Sequence, residues 1–317
     1  CKKIYKKAKA IADEFNPDVV ISSSTYTFDT YPAQKIAKFA KCKYIHEAHD
    51  LWPLTLIEVA GMSEYHPFVV ALAIAERSAY KKSNEIISLF PNADDHMIKH
   101  GMQSREKFHC IPNGIFIEEW ESPDAIGGEH KELIYRLHSE GKFVVGYLGG
   151  HGIPNALDYL VDAAEQARQY EDIAFVLVGS GMEKDNLKKR AMGYGLDNIY
   201  FLPQIEKTKV PALMAEMDAL YIGAARCSLY RFGVSMNKVY DYMMSGKPII
   251  YGVEASNSDV RDAGCGITIE PENPKAIVSA VNELKAMPTD ERMAMGNRGK
   301  DFVMTHNDYR VLAENFI

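Results

Sequence analysis

The stretch "FVVGYLGGHGIPNALDYL" (143–160) decides the fold that the sequence predicts. It opens with an almost continuously apolar run, which is typical of a strand buried on both faces of a parallel sheet. Gly149, Gly150 and Gly152 follow the strand, and the next helix is expected to begin near Pro154. Glycines let a ligand approach the backbone, and a helix N-terminus attracts anions. This unit therefore predicts an anion-binding turn in an α/β domain.

The same alternation of strand and helix extends along the chain in both directions. Four apolar runs precede the opening stretch: "DVVISS" (18–23), "KYIHEA" (43–48), "EIISLF" (85–90) and "FHCIPN" (108–113). Five follow it: "IAFVLVGSG", "IYFLPQ", "ALYIGA", "PIIYGV" and "GITIEP". Helix-period segments separate the strands or close the chain, at 68–83, 274–287, 291–305 and 309–317. The pattern predicts doubly wound α/β domains with parallel sheets.

Two such domains are expected, because 317 residues are more than one core usually serves. The polar segment "ESPDAIGGEHKELIYRLHSEGK" (121–142) is predicted to be the linker. The predicted domains are 1–125 and 126–306, with a terminal helix at 307–317 that packs back on the first. The first domain offers only four strands, so we expect it to be incomplete, with its opening strands missing.

Composition excludes several classes of protein. The net charge of −7 argues against a nucleic-acid binder, and no apolar run reaches the ~20 residues of a membrane-spanning helix. The five cysteines are scattered and form no CxxC pair, which favours a reducing, cytoplasmic setting. No DxD sequence is present, which weighs against a metal ion holding a nucleotide sugar.

An NAD site fails on two counts. A dinucleotide fingerprint starting at Gly150 needs a third glycine or alanine where Asn155 stands, and the second strand ends in Gly-Ser-Gly without the acid that holds a ribose.

In the first half, "YIHEAHDLWP" (44–53) places Glu47 and His49 on one face of a strand. This is not the HExxH pattern of zinc proteases, so the segment does not indicate a protease of that kind.

A second candidate site is "RFGVSMNKVYDYMMSGKPI" (231–249). Ser235 is the predicted N-cap of its helix, Gly246 the residue after its C-cap, and Pro248 the stop signal. The helix should face the sheet with an apolar stripe of Val239, Tyr240 and Met243.

The opposite face of this helix carries Lys238 and Asp241. The amides of Asn237 and Lys238, with the Lys238 and Arg231 cations, predict a diphosphate site, and Asp241 could accept hydrogen bonds from ribose hydroxyls. The alternative is a solvated face with a Lys238–Asp241 ion pair worth only ~0.3–0.5 kcal/mol. Spacing alone leaves both open.

Five segments, in order, resemble the retaining glycosyltransferases of family 4, which have the two-domain GT-B fold: "HEAHDLWP", "IPNG" (111–114), "GYLGG", "LVGSGMEKDNL" and "NKVYDYMMSGKPII". The segments "DLWP" and "RFGVSMNKVYDYMMSGKPII" further resemble bacterial enzymes of O-antigen and capsule assembly, such as N-acetyl-fucosaminyl transferases. The resemblance covers nearly the whole chain. It implies transfer of a sugar, with retention, from a nucleotide donor that is expected to be UDP-linked, to a saccharide or lipid-linked acceptor.

The resemblance also implies roles for individual residues. His49 and Asp50 would lie near the transferred sugar, and Asn113 and Gly114 near the hinge. The donor-binding set is completed by Gly149, Gly150, Ile205 at the base, Arg231, Gly233, Ser235, Asn237, Lys238 and Asp241. No metal or other cofactor is expected, and the enzyme would work in the cytoplasm, with peripheral contact to the inner face of the membrane as one option.

This sequence departs from the family in two places. The family commonly has a Glu-x7-Glu pair, and here Gly233 stands at its first position and Asp241 at its second. The family's Arg and Lys after the first donor-domain strand are absent from 151–158, which leaves Arg231 and Lys238 as the obvious cations. The alternatives are a GT-B nucleotide-sugar epimerase and an inactive donor-binding module.

Overall fold

The computed structural model of the protein describes residues 1–23 and 26–316. The chain divides into two compact units. The first comprises residues 1–113, 227–235 and 255–257, and the second comprises 114–226, 236–254 and the chain from 258 onward. Residues 114–125, assigned to the first domain from sequence, thus cluster with the second unit, as does the terminal helix.

The first unit contains the four strands that the sequence predicts. Its elements in chain order are α1 (Lys2–Phe15), β1 (Val19–Ser23), α2 (Thr30–Ala40), β2 (Lys43–Ala48), α3 (Leu54–Glu58), α4 (Pro67–Lys82), β3 (Glu85–Ser88), α5 (Asp94–Lys99) and β4 (Phe108–Cys110). The strands pair in parallel in the order β1-β2-β3-β4. Their inner positions bury apolar side chains such as Ile86, which pack against Tyr80 of α4 and Met97 of α5.

The second unit contains the six strands predicted for it. Its elements are α6 (Glu118–Glu121), α7 (Gly128–Ser139), β5 (Phe143–Leu148), α8 (Leu157–Gln166), β6 (Ile173–Val178), α9 (Lys184–Gly193), β7 (Ile199–Leu202), α10 (Val210–Ala215), β8 (Ala219–Gly223), α11 (Asn237–Met244), β9 (Ile249–Gly252), α12 (Asp259–Asp262), β10 (Gly266–Thr268), α13 (Pro274–Ala286), α14 (Thr289–His306) and α15 (Tyr309–Phe316). Every residue of β5 and β6 is buried, as expected for central strands covered by helices on both faces.

The strand order of the second unit fixes where a ligand can bind. The parallel strands run β10-β9-β8-β5-β6-β7, which is the Rossmann order, and the direction of winding reverses between β5 and β8. In open sheets of this kind, ligands bind outside the carboxyl ends of the strands at the point of reversal. The loop 149–156 and the start of α11 lie at that edge. The predicted α/β class with two Rossmann-like domains is therefore confirmed.

Two predicted boundaries are wrong. The segment 121–142 is not an open linker, because 128–139 forms α7, which buries Ile134 and Leu137 one turn apart. The polar residues around them concealed this stripe. The second error concerns Ser235, which does not cap α11: the helix begins at Asn237 after Met236, and the Ser235 hydroxyl instead accepts a 2.7 Å hydrogen bond from the Asn113 amide.

The end of α11 agrees with the sequence prediction. The helix stops at Met244, and Gly246 has a φ of 69°, the left-handed conformation that glycine adopts most readily. The predicted apolar stripe of Val239, Tyr240 and Met243 is buried. Among the described residues, no helix is both long and apolar enough to span a membrane.

Gly114 generates a prediction about packing in the second unit. A β-carbon at this position would lie 2.6 Å from Leu312 Cδ1 and 2.7 Å from the Asn307 carbonyl oxygen. Because the backbone oxygen cannot move aside cheaply, Gly114→Ala should lower the free energy of unfolding by ~1–3 kcal/mol in urea denaturation. Gly193→Ala, at a helical site with no neighbour within 4 Å, is the control and should stabilise by ~0.5–1 kcal/mol. Equal effects would contradict this account of Gly114.

Candidate functional site

A cavity of about 460 Å³ opens at the carboxyl edge of the second unit's sheet. Its walls come from the ends of β5, β6 and β7, from the segment before and within α10, and from the first turns of α11. The lining residues are Leu148, Gly149, Gly150, Val178, Gly179, Ser180, Gln204, Ile205, Lys207, Val210, Met214, Lys238, Asp241 and Tyr242. The structure thus brings together five of the predicted donor-binding residues: Gly149, Gly150, Ile205, Lys238 and Asp241.

Two glycine loops form the floor of the cavity by backbone-to-backbone contact. A β-carbon at Gly179 would overlap the Gly149 carbonyl oxygen, and one at Gly181 would overlap the carbonyl of His151. Hydrogen bonds hold the loops together, from Gly149 N to Val178 O at 3.0 Å and from His151 N to Ser180 O at 2.8 Å. A β-carbon at Gly150, by contrast, would meet nothing within 4 Å. This part of the backbone is open to a ligand.

Lys238 brings the cavity its half-buried cation. Its Nζ donates to Tyr147 Oη at 2.8 Å and to Asn155 Oδ1 at 2.6 Å, and it lies 4.5 Å from the centre of the Tyr147 ring. Burial lowers the pKa of Lys238 to about 8. The N-terminus of α11, which carries this lysine, has no acidic residue in its first turn and no side-chain cap. Both features favour an anion at this end of the cavity.

Asp241 stands one turn further along α11. Burial raises the pKa of its carboxyl to about 6, a shift that the Lys207 charge opposes and the Glu119 charge reinforces. Lys207 itself forms a 2.6 Å ion pair with Glu119. Within the described residues Asp241 has no ion pair with Lys238, so the surface-pair interpretation of this helix face does not describe it. A half-buried carboxylate of this kind is suited to accept hydrogen bonds from hydroxyl groups.

Two tyrosines fix the loop that follows β5. Tyr147 donates a 2.7 Å hydrogen bond to the Gly150 carbonyl, and the buried Tyr242 hydroxyl accepts from Leu148 N at 2.6 Å. Asn155 adds a 2.9 Å bond from its side-chain amide to Gly150 O. The glycine loop is therefore held from three side chains before any ligand arrives.

The far side of the cavity is largely apolar. Ile205, Val210 and Met214 form a surface on which a flat ring can lie, and Gln204 stands beside them. The Gln204 side-chain oxygen accepts a 3.0 Å hydrogen bond from Ser180. One cavity thus combines the Lys238 cation, the half-buried Asp241 carboxylate and the apolar Ile205 side chain.

Arg231 belongs to the first unit, where a carboxylate engages it. Its two terminal nitrogens donate to Glu58 Oε2 and Oε1 at 2.7 and 2.6 Å, and it lies 4.4 Å from the centre of the Phe232 ring. The guanidinium lowers the pKa of Glu58 to about 2. Gly233, next along the chain, has a φ of 98° and leaves no room for a side chain beside Pro91. The proposed phosphate role of Arg231 stays a prediction, and it requires the guanidinium to leave Glu58.

His49 and Asp50 follow β2 in the first unit. His49 Nε2 lies 2.8 Å from Ser23 Oγ and 3.3 Å from a Glu47 oxygen, so the predicted closeness of Glu47 and His49 is confirmed, although β2 ends at Ala48 and His49 lies just beyond it. Asp50 accepts three hydrogen bonds, from the Leu51 amide at 2.8 Å, the Trp52 indole at 2.8 Å and the Thr55 hydroxyl at 2.7 Å. These contacts suit Asp50 to holding the turn "DLWP".

Several residues that line the cavity or hold its lining residues in place were missed from the sequence. Tyr147, Asn155 and Lys207 carry no motif of their own, and only their partners in space reveal them. Gly179 and Gly181 had a signal, since a Gly-Ser-Gly after a second strand indicates close approach of another backbone.

His151 is fully buried in the glycine loop, and neither of its ring nitrogens has a hydrogen-bond partner within the described residues. Burial lowers the pKa of this imidazole to about 4, and the charges of Lys184 and Lys238 act in the same direction. An unpaired buried polar group costs ~1–3 kcal/mol. The glycine loop therefore contains a local source of instability.

Comparison with known proteins follows the division of the chain. The sequence pattern described as glycosyl transferases group 1 matches residues 134–302. The pattern described as glycosyltransferase family 4 matches residues 3–119.

Similar proteins include an uncharacterized glycosyltransferase of Methanocaldococcus jannaschii, 23% identical over 73% of this chain and 56% of that protein. A second is an Escherichia coli protein named as a colanic acid biosynthesis glycosyl transferase, 25% identical over 49% of this chain and 38% of that protein. The chain thus spans about half the length, or less, of these relatives.

Among solved structures, Anabaena HepE in complex with UDP and glucose has a TM-score of 0.71 and 17% identity, over 98% of this chain and 79% of that one. It shares the fold of two Rossmann-like domains found in GT-B glycosyltransferases.

The unpaired imidazole predicts an unusual stability effect. His151→Leu should leave the free energy of unfolding at pH 7 unchanged or raise it by up to ~2 kcal/mol, because a similar-sized apolar group replaces an unpaired polar one. The folded-state pKa of His151, about 4, lies below its ordinary 6.5, so wild-type stability is lost as pH falls through that window. Between pH 7 and pH 5, His151→Leu should lose less of its free energy of unfolding than the wild type. Urea denaturation at the two pH values would measure the difference.

The matched control is His130→Leu in the same unit. His130 is buried, but its Nε2 lies 3.1 Å from the Pro203 carbonyl and makes a hydrogen bond. Removing that donor should destabilise by ~1–3 kcal/mol. If both variants destabilise equally, the His151 side chain has a partner and the argument fails.

Proposed function

Because the chain belongs to the family of glycosyl transferases group 1, we propose that it transfers a sugar from a nucleoside diphosphate sugar held in the cavity of the second unit. One observation carries the proposal: that cavity combines Lys238 at a helix N-terminus, an open glycine backbone, a half-buried carboxylate and an apolar ring site. These are the groups that a phosphate, a ribose and a base require, in one connected space.

The donor is assigned along the cavity. The diphosphate lies over Gly149 and Gly150 and accepts hydrogen bonds from Lys238, which exchanges its contact with Asn155 for the ligand. The ribose hydroxyls donate to Asp241. The base lies against Ile205 and Val210. The volume of about 460 Å³ falls in the range of small-molecule sites, ~300–1,000 Å³.

We assign UDP as the nucleotide, supported by the UDP and glucose named for the Anabaena structure. The acceptor is a saccharide or lipid-linked saccharide in cell-surface polysaccharide synthesis, supported by the colanic acid relative and the motif resemblance. Retention at the anomeric carbon rests on the resemblance alone. A cytoplasmic site of action agrees with five free cysteines, and any membrane contact would be peripheral, through the lysines of α1.

We propose that donor binding is independent of a metal ion. The charged side chains of the cavity are two lysines and one aspartate, so its cations are supplied by the chain and its carboxylate faces the proposed ribose. Adding Mg²⁺ or Mn²⁺ should therefore change UDP affinity less than twofold. A strong requirement for either ion would refute this part of the proposal.

In the first unit, His49 is proposed to meet the transferred sugar, and Asp50 to hold its turn in place. The His49 side chain is about a third exposed, while Asp50 is committed to three donors. His49→Ala should abolish transfer and leave UDP affinity unchanged, since the nucleotide contacts lie in the second unit.

Calorimetry with UDP, GDP and ADP, followed by an assay of sugar release and transfer from UDP-sugars, tests the function. UDP should bind most tightly, and transfer should follow with retained anomeric configuration. The absence of binding by any of the three nucleotides would refute the site. Binding of UDP without release or transfer of sugar would favour an inactive donor-binding module, and inversion of a donor-sugar hydroxyl would favour an epimerase.

Lys238 provides the sharpest single variant. Lys238→Met keeps the hydrocarbon stem over the Tyr147 ring and removes the charge, so UDP binding should weaken by ~1.5–3 kcal/mol while folding is preserved. Lys189→Met, at an exposed position of α9, is the control and should bind UDP as the wild type does. Unchanged affinity in a folded Lys238→Met protein would remove Lys238 from the phosphate site.

The two perturbed groups predict the pH dependence of donor binding. UDP-glucose affinity should fall as pH rises above about 8, where Lys238 loses its proton, and as pH drops below about 6, where Asp241 gains one. Asp241→Asn should remove the acidic limb and weaken UDP binding. It should leave 2′,3′-dideoxy-UDP binding unchanged, and an equal loss with both ligands would exclude the ribose contact.

A further inference from the structure

The first unit contains a compact group of two histidines and one glutamate. Glu76 belongs to α4, His96 to α5, and His100 is the residue that ends α5. One ligand atom from each lies within 4.8 Å of the other two. His96 Nε2 and Glu76 Oε1 are 3.0 Å apart, and the two imidazole rings lie 4.1 Å apart between centres.

The backbone explains why the two imidazoles meet. Residues four apart in a helix share one face, so the i, i+4 spacing places His96 and His100 one above the other. Glu76 then reaches the same point from the neighbouring helix. Glu76 and His96 are buried, with 1% and 7% exposure, whereas His100 is at the edge of the group.

Contacts behind the group orient its members. His100 Nδ1 lies 2.8 Å from the His96 carbonyl, so this nitrogen carries the proton and Nε2 keeps its lone pair. Burial, and then the Glu76 carboxylate one turn earlier in α4, raise the pKa of the Tyr80 hydroxyl. A backbone carbonyl behind the second nitrogen of a histidine is an outer contact that metal ligands usually make.

A hydrogen-bonded His–Glu pair alone would account for Glu76 and His96. It does not account for His100, whose Nε2 has no hydrogen-bond partner within the described residues although its ring is held against that of His96. Three oriented ligand atoms, two of nitrogen and one of oxygen, are what a divalent cation of the zinc class requires.

We propose that Glu76, His96 and His100 bind a zinc-class divalent cation through one carboxylate oxygen and the two Nε2 atoms. A water molecule completes a tetrahedral site on the side where His100 reaches the surface. Ligand atoms in such a site are separated by roughly 3.4 Å, so the farthest pair here has to approach by at most roughly 1.4 Å. Mg²⁺ and Ca²⁺ are excluded by the imidazole ligands, since they prefer oxygen.

The cation would link α4 to α5 next to the segment that contains Phe232, which packs against His96. His96 packs edge-on against Phe232 at 5.5 Å, and the Asn92 amide donates to the Phe232 carbonyl at 3.0 Å. Binding the folded state alone raises its stability in proportion to ln(1 + [Zn²⁺]/Kd). The site is structural, and it is separate from the donor cavity because all of its ligands lie in the first unit.

The test is zinc binding to the full chain after removal of metal, followed by equilibrium dialysis and thermal unfolding. The wild type should take up one equivalent of Zn²⁺ and melt at a higher temperature with it. His100→Ala should weaken zinc binding at least tenfold and abolish the shift, while its metal-free melting temperature stays close to that of the wild type. The Co²⁺ form should show the visible absorption of a tetrahedral nitrogen and oxygen site.

His109→Ala is the matched control. His109 forms an exposed 3.0 Å pair with Glu85 in the same unit but has no third ligand among the residues that the structure describes, so this variant should bind zinc as the wild type does. All five cysteines remain in both variants. Retention of zinc by His100→Ala, or no stoichiometric uptake by the wild type, would overturn the proposal, and neither result bears on UDP binding.

Discussion

The contact between two glycine loops is the constraint on which the second unit's cavity depends. No side chain fits at Gly179 or Gly181, because the carbonyls of Gly149 and His151 occupy that space. The ends of β5 and β6 can therefore approach closely, and the Gly150 backbone stays open above them. The same contact forces the His151 ring into the interior, where its nitrogens are unpaired. The close contact between the two glycine loops therefore accounts both for the shape of the cavity floor and for the unpaired imidazole of His151.

The electrostatics of the cavity follow from burial. Burial disfavours the charged forms of Lys238 and Asp241, lowering one pKa to about 8 and raising the other to about 6. A ligand with phosphate oxygens at one end and hydroxyl donors at the other favours both charged forms. Since Tyr147 already holds Lys238 in place, little rearrangement is needed when such a ligand binds. The two half-buried groups are therefore complementary to a ligand with an anion at one end and hydroxyl donors at the other.

The sequence was sufficient for the fold and for five of the fourteen residues that line the cavity. All ten strands were recognisable as short apolar runs, although only β5, β6, β8 and β9 are buried along their whole length, and positive-φ Gly246 marked the end of α11. Amphipathic α7 was hidden, because only two of its apolar residues, Ile134 and Leu137, are buried, and polar residues surround them. The partners of Lys238 come from distant parts of the chain, and Glu76 lies twenty residues before His96, so no local spacing joins them. Ser235 has the chemistry of an N-cap, but the amide that it binds belongs to Asn113 rather than to its own helix.

The contact between Asn113 and Ser235 links two motifs that are far apart in the sequence, "IPNG" and "RFGVSMNKVYDYMMSGKPI". The chain passes from the first unit to the second after Asn113 and again after Ser235, and a third segment, 255–257, returns to the first unit. Asn113 bonds Ser235 through its backbone amide and its side chain, and the Asn257 side chain bonds both the amide and the carbonyl of Val234, at 2.8 and 2.9 Å. The three points at which the chain leaves the first unit are thus tied together within that unit by two asparagines and a serine. These contacts fix where the chain leaves the first unit, and the residues of α11 that line the cavity begin at Lys238.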